Sequence, residues 1–306
     1  VLVRVLGSAA GGGFPQWNCG CENCRGVRSG TAGSSRFRAR TQESIAVSGD
    51  GESWFLINCS PEIRAQIESF PGLWPRAKRH SPIAGILFSN GDLDHVLGLL
   101  SLRESHPLVV HATAVVRDDF RKGNTMARTL DRFTGQLDWR VVVPGEEQAL
   151  GGEGTKLRVT AVPISGNMPL HMKGLREPSV EDNVGYVIRD ERTGGKLAYL
   201  SGVAGPSPAL ERAVADADVV FFDGTFWTSD ELIRLGLGTR RAEDMSHWPL
   251  SGPNGSLEFL GRLPAKRRIF IHVNNTNPIL DEQSPERAEV VAKGAEVAFD
   301  GLELSL

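Results

Sequence analysis

The stretch Gly85-Ile86-Leu87-Phe88-Ser89-Asn90-Gly91-Asp92-Leu93-Asp94-His95-Val96-Leu97-Gly98-Leu99-Leu100 constrains this chain more than any other. It begins as an apolar run of strand length, passes through a turn cluster and resumes as the apolar start of a helix. The turn brings three potential metal ligands, Asp92, Asp94 and His95, into adjacent positions. Rigid elements on both sides make such a turn a good seat for a cation. A plainer alternative makes Asp94 a helix N-cap and Asp92 a turn former. The rest of the chain decides between them.

Further strand-length runs occur at residues 1–7, 44–48, 53–57, 108–111, 139–143, 157–162, 184–189, 196–200, 219–222 and 268–273. Gly49-Asp50-Gly51 between the second and third is a hairpin signal. Helices are expected near 113–121, 207–215, 229–235, 254–261 and 285–293. Another is expected to begin at Ser60-Pro61-Glu62, with Ser as N-cap and Pro at the first helical position. Several strands precede each helix, which suits two sheets packed together with helices outside, in one domain. Gly7-Ser8-Ala9-Ala10-Gly11-Gly12-Gly13 follows the first strand but lacks the dinucleotide-binding spacing. That loop is expected to let backbone approach a ligand or another loop closely.

Two more strands end in ligand-capable residues: Val219-Val220-Phe221-Phe222 runs into Asp223, and Ile269-Phe270-Ile271 into His272. Between them stands His247, ahead of an expected helix. Sites built from strand-end loops on one rim are a frequent catalytic arrangement. Three of the four cysteines form Cys19-Gly20-Cys21-Glu22-Asn23-Cys24, too few and too clustered for a disulfide framework. Three thiolates around a structural zinc need one more ligand from elsewhere. Cys59, after an apolar run, reads as a buried core residue. Arg36, Arg38 and Arg40 alternate in the 28–41 loop, either as a basic lip over an anionic substrate or as solvated surface. His171 lies in a stretch that reads as a substrate lid or a surface loop. His80, His106 and His111 read as structural or solvent-facing.

The net charge of −3 gives no basic field for nucleic acid, and no apolar run reaches the ~18 residues of a membrane span. The first residues lack the basic segment and cleavage site of a secretory leader, so the expectation is a cytoplasmic protein.

A strand with a metal loop, a later strand ending in Asp and a last strand ending in His resemble the metallo-β-lactamase-like superfamily. Its loop reads H-x-H-x-D-H where this chain has Asn90-Gly91-Asp92-Leu93-Asp94-His95. Leu6–Cys19, Arg40–Val47, the Asp94-His95 loop, Phe222–Thr225 and His272–Pro278 further resemble the pyrroloquinoline quinone (PQQ) biosynthesis protein B family. The resemblance implies an α/β (α+β) fold, a four-layer αββα sandwich spanning residues 1–306, with the zinc-binding cysteine loop near 19–24. It also implies a place in making the redox cofactor PQQ from a peptide precursor. Its chemical form is an iron-dependent hydroxylase acting on the tyrosine ring of a Glu-Tyr-derived intermediate. The alternatives are a carrier of PQQ or its precursor toward the periplasm and a zinc hydrolase in the same pathway.

The ligands argue among these. Superfamily hydrolases hold two zinc ions with the histidines of H-x-H and a third downstream. Here those positions are Asn90 and Asp92, and Pro163–Met168 offers no His. Asp94, His95 and His272 remain, with Asp223 at hand. Two His and one carboxylate with open positions form the facial triad of non-haem Fe(II) oxygenases. One Fe(II) held by Asp94, His95 and His272 is therefore expected, with Asp92 or Asp223 as a fourth ligand or as a partner orienting a His. His247 is the candidate acid/base or phenol-orienting group, with a capping role as its alternative; Asp92 is also placed in the catalytic set. By resemblance to a phosphodiesterase branch of the superfamily, the fourth ligand of the Cys19, Cys21 and Cys24 zinc falls near Asn275. Expected partners are the dipeptide precursor, O₂, other PQQ-pathway proteins and a second copy of the chain.

Overall fold

Val219-Val220-Phe221-Phe222 is apolar at every position, and a strand of that kind needs cover on both faces. The computed structural model, which describes residues 1–30 and 36–306, supplies it. One sheet has the order β14-β1-β2-β3-β4-β5-β6. Its strands are β1 (Leu2–Gly7), β2 (Ser44–Ser48), β3 (Trp54–Ile57), β4 (Ile83–Leu87), β5 (Leu108–Ala112), β6 (Leu137–Val141) and the returning β14 (Glu303–Ser305). The second sheet, of order β13-β12-β11-β10-β9-β8-β7, contains β7 (Glu147–Leu150), β8 (Leu157–Pro163) and β9 (Val184–Asp190). It continues with β10 (Lys196–Leu200), β11 (Val219–Asp223), β12 (Arg267–Ile271) and β13 (Glu296–Val297).

Three apolar clusters show the layers. Val219, Phe221, Ile269, Ile271 and Tyr199 meet Phe55, Ile57, Ile45 and Val5 between the sheets. The alternate residues Val220, Phe222 and Phe270 face outward onto helix residues such as Leu210, Leu257 and Val290. On the far side, Leu56, Ile86 and Val110 pack on Ile63 and Val116. The arrangement is the four-layer αββα sandwich. Its helices are α1 (Glu22–Ser29), α2 (Ile63–Glu68), α3 (Leu93–Val96), α4 (Ala114–Asp118), α5 (Pro208–Val214), α6 (Glu231–Arg234), α7 (Ser256–Gly261) and α8 (Pro285–Ala292). Ser207 and Ser284 cap α5 and α8, each followed by Pro at the first helical position.

Local expectations differ at a few points. The helix expected from Ser60 begins at Ile63, because Ser60-Pro61-Glu62 makes a turn that Gly98 packs against. A Cβ on Gly98 would stand 2.0 Å from the Ser60 carbonyl oxygen, so that crossing needs a glycine. Asp92, not Asp94, occupies the N-cap position of α3, and its side chain makes no cap bond. α1, inside the cysteine segment, and the short strands β7, β13 and β14 carry too little periodicity to be read from sequence.

The two sheets share one design. β3 to β6 run parallel, as do β10 to β13. In parallel α/β sheets, ligands gather beyond the carboxyl ends of the strands. The ligand-bearing ends of β4, β11 and β12 lie there. Replacing Phe221 with Ala is expected to lower the unfolding free energy by about 3–5 kcal/mol, since the side chain is wholly buried between sheets that cannot collapse around the gap. A urea unfolding midpoint compared with wild type checks it.

Candidate metal centre

Each site residue follows a strand that fixes its backbone. β4 leads into Ser89, Asn90, Asp92, Asp94 and His95; β11 ends in Asp223; His272 directly follows β12. His272 has left-handed backbone, φ 58°, as does Asn58 at the end of β3, φ 63°. Such conformations in non-glycine residues concentrate at functional sites.

The structure brings Asp94, His95 and His272 together. Asp94 Oδ2 lies 3.4 Å from His272 Nε2 and 3.7 Å from His95 Nε2. Each imidazole is held by its other nitrogen. His272 Nδ1 meets the Thr225 hydroxyl at 2.8 Å, and that hydroxyl lies 2.5 Å from Asp223 Oδ1. His95 Nδ1 meets Ser89 Oγ at 3.0 Å. Holding the far nitrogen of an imidazole fixes its orientation toward a metal.

Asp223 is 3.9 Å from His272 Nδ1 and accepts from His247 Nδ1 at 2.8 Å. These contacts are those of a carboxylate that orients imidazoles, one of the two roles expected of it. His247 and His272 stack with ring centroids 5.4 Å apart. Asp223, His247 and His272 can also be grouped as a second set of donors, on the Nδ1 side of the His272 ring. Asp92 lines the same cavity and, like Asp94, stands outside both close groups of donor atoms. It occupies the N-cap position of α3, on the cavity wall.

Sequence reasoning missed Glu43, which is 1% exposed and sits 3.4 Å from His95 Nε2 through Oε2. It also missed Asn58, whose Nδ2 donates to Glu43 Oε2 at 3.1 Å and whose Oδ1 accepts from Ser89 Oγ at 3.0 Å. The available signals were a carboxylate heading the apolar β2 and an Asn closing β3.

The charges are crowded. Burial pushes the Glu43 carboxyl up to about 8 and that of Asp92 up to about 6. Burial would also raise Asp94, but His95 and His272 hold it well below the usual carboxylate range. Burial brings His95 down to about 4 against the pull of Asp94. Burial depresses His272 as well, yet its hydrogen bond to Asp94, the Asp94 charge and then Glu43 and Asp223 carry it to about 9. Two buried atoms, His95 Nε2 and Glu43 Oε1, have no hydrogen-bond partner. Such orphans cost about 1–3 kcal/mol each, and a cation among these donors would give His95 Nε2 the partner it lacks. The residues fit a metal ion.

The centre opens on a cavity of about 280 Å³. Its wall includes Asn90, Asn167, Asn183, Asn274, Phe226 and His247. The glycine-rich loop reaches it as expected: Ala10 and Gly11 line it, and a Cβ on Gly11 would stand 3.2 Å from Asp94 Oδ2. The arginine lip does not form. Arg36 pairs with Asp281, Arg38 pairs with Glu282, and Arg40 is buried against Ser8 and the Ala298 carbonyl. Residues 31–35 of that loop lie outside the described residues. His171 is exposed and not among the lining residues; His111 is buried and His80 exposed. Cys59 is buried, which pushes its thiol up and leaves it inert.

Cys19, Cys21 and Cys24 converge without a disulfide among them. The Asn275 amide lies 3.4 Å from Cys24 Sγ and 3.6 Å from Cys21 Sγ, so the structure brings together the whole expected set. Burial pushes Cys24 up to about 11, a cost that a zinc ion would remove. Three thiols and an amide that also carries an oxygen suit a closed structural site. Among the described residues, no helix is long and apolar enough to cross a membrane.

Comparison with known proteins agrees with this geometry. A family model described as the β-lactamase superfamily domain matches residues 53–273. The coenzyme PQQ synthesis protein B of Azoarcus sp. (strain BH72) is 47% identical over 307 residues, covering 99% of each chain. That of Pseudomonas entomophila (strain L48) is 46% identical over 308 residues, covering 100% of both. The crystal structure of Zn(2+)-bound PqqB from Methylobacterium extorquens matches with a TM-score of 0.90 and 41% identity, covering 100% of both chains. A diphosphatase from the PhnP family shares the fold, with a TM-score of 0.66, 20% identity, and coverage of 99% of this chain and 96% of that one.

Metal uptake should depend on pH with a definite sign. His272 must lose its proton to bind, and its pKa lies at about 9 instead of 6.5. Chelator-treated protein titrated with Fe(II) under anaerobic conditions is expected to bind more tightly as pH rises through this interval, levelling above about 9. Separately, Cys21→Ala is expected to lose most of its zinc and some thermal stability while keeping its iron uptake, as read by metal analysis and a melting curve.

Proposed function

The chain belongs to the coenzyme PQQ synthesis protein B family of the β-lactamase superfamily, and on that premise we propose that it hydroxylates a tyrosine-derived precursor of PQQ with Fe(II) and O₂. The observation that carries this reading is the donor set. Asp94, His95 and His272 converge, while the positions that hold a second zinc in superfamily hydrolases are occupied by Asn90 and Asp92. Asn90 Oδ1 accepts from the Asp92 N–H at 3.0 Å, so it is engaged in the turn. Two imidazoles and a carboxylate suit iron with open positions.

Iron would supply the one-electron chemistry that activates O₂, which side chains cannot provide. One oxygen atom enters a ring C–H bond as the new hydroxyl; the other leaves as water, with two electrons from an external reductant and two protons. The chain's own part is orientation and proton movement. Thr225 and Asp223 fix His272, and Ser89 fixes His95. His247, held through Nδ1 by Asp223, lines the cavity and is placed to hold or move the proton of a phenol oxygen. The cavity is at the small end of ligand sites, which run ~300–1,000 Å³, and suits a phenol arm better than a whole peptide. Its wall includes Asn167, Asn183 and Asn274, amides able to hydrogen-bond a polar backbone. Zinc belongs in the thiol cluster with Asn275.

Protein loaded with Fe(II) without air, then mixed with a Glu-Tyr dipeptide, a reductant and ¹⁸O₂, is expected to place labelled oxygen in the ring. Tight binding of PQQ without ring labelling would make the chain a carrier. Turnover by a zinc-only protein would make it a hydrolase. His272→Ala is expected to abolish iron binding and labelling together. His247→Gln is expected to keep the iron and lose about 10²–10⁴-fold in rate.

A further inference from the structure

We propose that Glu43 is a fourth protein ligand of the catalytic ion, which makes the centre a two-histidine, two-carboxylate site instead of a bare facial triad. The inference rests on the reading that Asp94, His95 and His272 hold a metal. Donors bound to one first-row ion at about 2.1 Å stand roughly 3–4 Å apart. Glu43 Oε2 meets that condition with His95 Nε2, at 3.4 Å, as Asp94 Oδ2 does with His272 Nε2, also at 3.4 Å. One donor atom each from Glu43, His95 and His272 lies within 4.8 Å of the others. Glu43 thus stands against the same two imidazoles that Asp94 meets.

Two features separate a ligand from a carboxylate that is merely buried. The first is what Glu43 lacks. Its Oε1 and the facing His95 Nε2 are buried and have no hydrogen-bond partner among the described residues. Among the described residues, the groups that can neutralise the carboxylate are the His95 and His272 imidazoles. The second is how it is aimed. Asn58 donates from Nδ2 to Glu43 Oε2 and to the Tyr199 hydroxyl, and accepts through Oδ1 from Ser89 N–H and Oγ. Ser89 Oγ in turn holds His95 Nδ1. One asparagine therefore orients both Glu43 and His95, as the outer partners of metal ligands do. The Glu43 backbone is pinned as well, its N–H donating to the Ala9 carbonyl at 2.8 Å.

Two carboxylates balance the double charge of the ion inside a buried site. In a six-coordinate ion they leave two positions for substrate and O₂, one fewer than a bare triad would.

The test uses full-length protein whose thiol cluster has first been filled with zinc, titrated anaerobically with Co(II) and Fe(II). Glu43→Gln keeps the shape and the Asn58 hydrogen bond but removes the charge. It is expected to weaken both metals by at least about tenfold and to change the intensity of the Co(II) visible bands. The chelator-treated Glu43→Gln variant should melt no lower than wild type. Glu43→Asp, should Gln fail to fold, is expected to retain part of the affinity with an altered spectrum. Unchanged affinity and spectrum in these variants would overturn the assignment, as would a loss of stability in chelator-treated protein with the spectrum unchanged. Asp94→Asn runs beside them. If it abolishes binding while the Glu43 variants behave as wild type, only the Glu43 assignment falls. If it too leaves Co(II) binding intact, the reading of the whole centre falls.

Discussion

The structure turns on the burial of like charges. Glu43 and Asp223 are buried at one edge of a two-sheet sandwich with the partly exposed Asp94 beside them, and each carboxylate there needs a cation or donors. The fold meets the need in pieces. Asp223 takes the His247 ring, the Thr225 hydroxyl and the Val203 amide. Asp94 takes His272. Glu43 takes only the Asn58 amide, so the compensation is least complete where His95 Nε2 is also unpartnered. The strained backbone at Asn58 and His272 belongs to the same account, since each turn ends a strand with its side chain in this network.

That network needs a firm frame around its open side. Ala9 pairs with both Gln42 and Val273, so the glycine-rich loop is stitched between the end of β12 and the segment carrying Glu43. Asn275 lies three residues after His272 and faces the cysteine thiols, while Asn23 donates to the Asn275 and Asn277 carbonyls at 3.1 and 2.9 Å. A zinc ion here would clamp α1 to the loop after β12, giving a structural metal a direct mechanical link to the backbone that presents His272.

The strand-end pattern was legible because it is local. An apolar strand closing on Asp223 or His272 is visible in a few residues, and so is the Asp94-His95 turn. The layers followed from the same runs, since strands apolar at every position must be covered on both faces. What the sequence did not show was pairing at long range. Glu43 lies more than fifty residues from His95 and over two hundred from His272, and nothing in its neighbours marks it as buried beside them. The arginines of the 28–41 loop misled for the same reason. Their partners Asp281 and Glu282 come from the other end of the chain. Asn275 was reached only through resemblance, and its amide lies against the Cys21 and Cys24 thiols.

The altered loop positions mean more in three dimensions than as a degenerate motif. Asn90 spends its carbonyl oxygen on the Asp92 amide and becomes part of the turn that starts α3. Asp92 is left on the cavity wall, unbonded and half-shielded, beside Asn167, Asn183 and Asn274. At the two loop positions where superfamily hydrolases carry histidines, this wall offers an amide and a carboxylate instead. It can hydrogen-bond a polar ligand while leaving the face between Asp94, His95 and His272 clear. On the proposed reading, the change that removes hydrolytic chemistry is the same one that makes room for an organic substrate. On that reading, the space that a second cation and its bridging water would fill is left to the phenol ring.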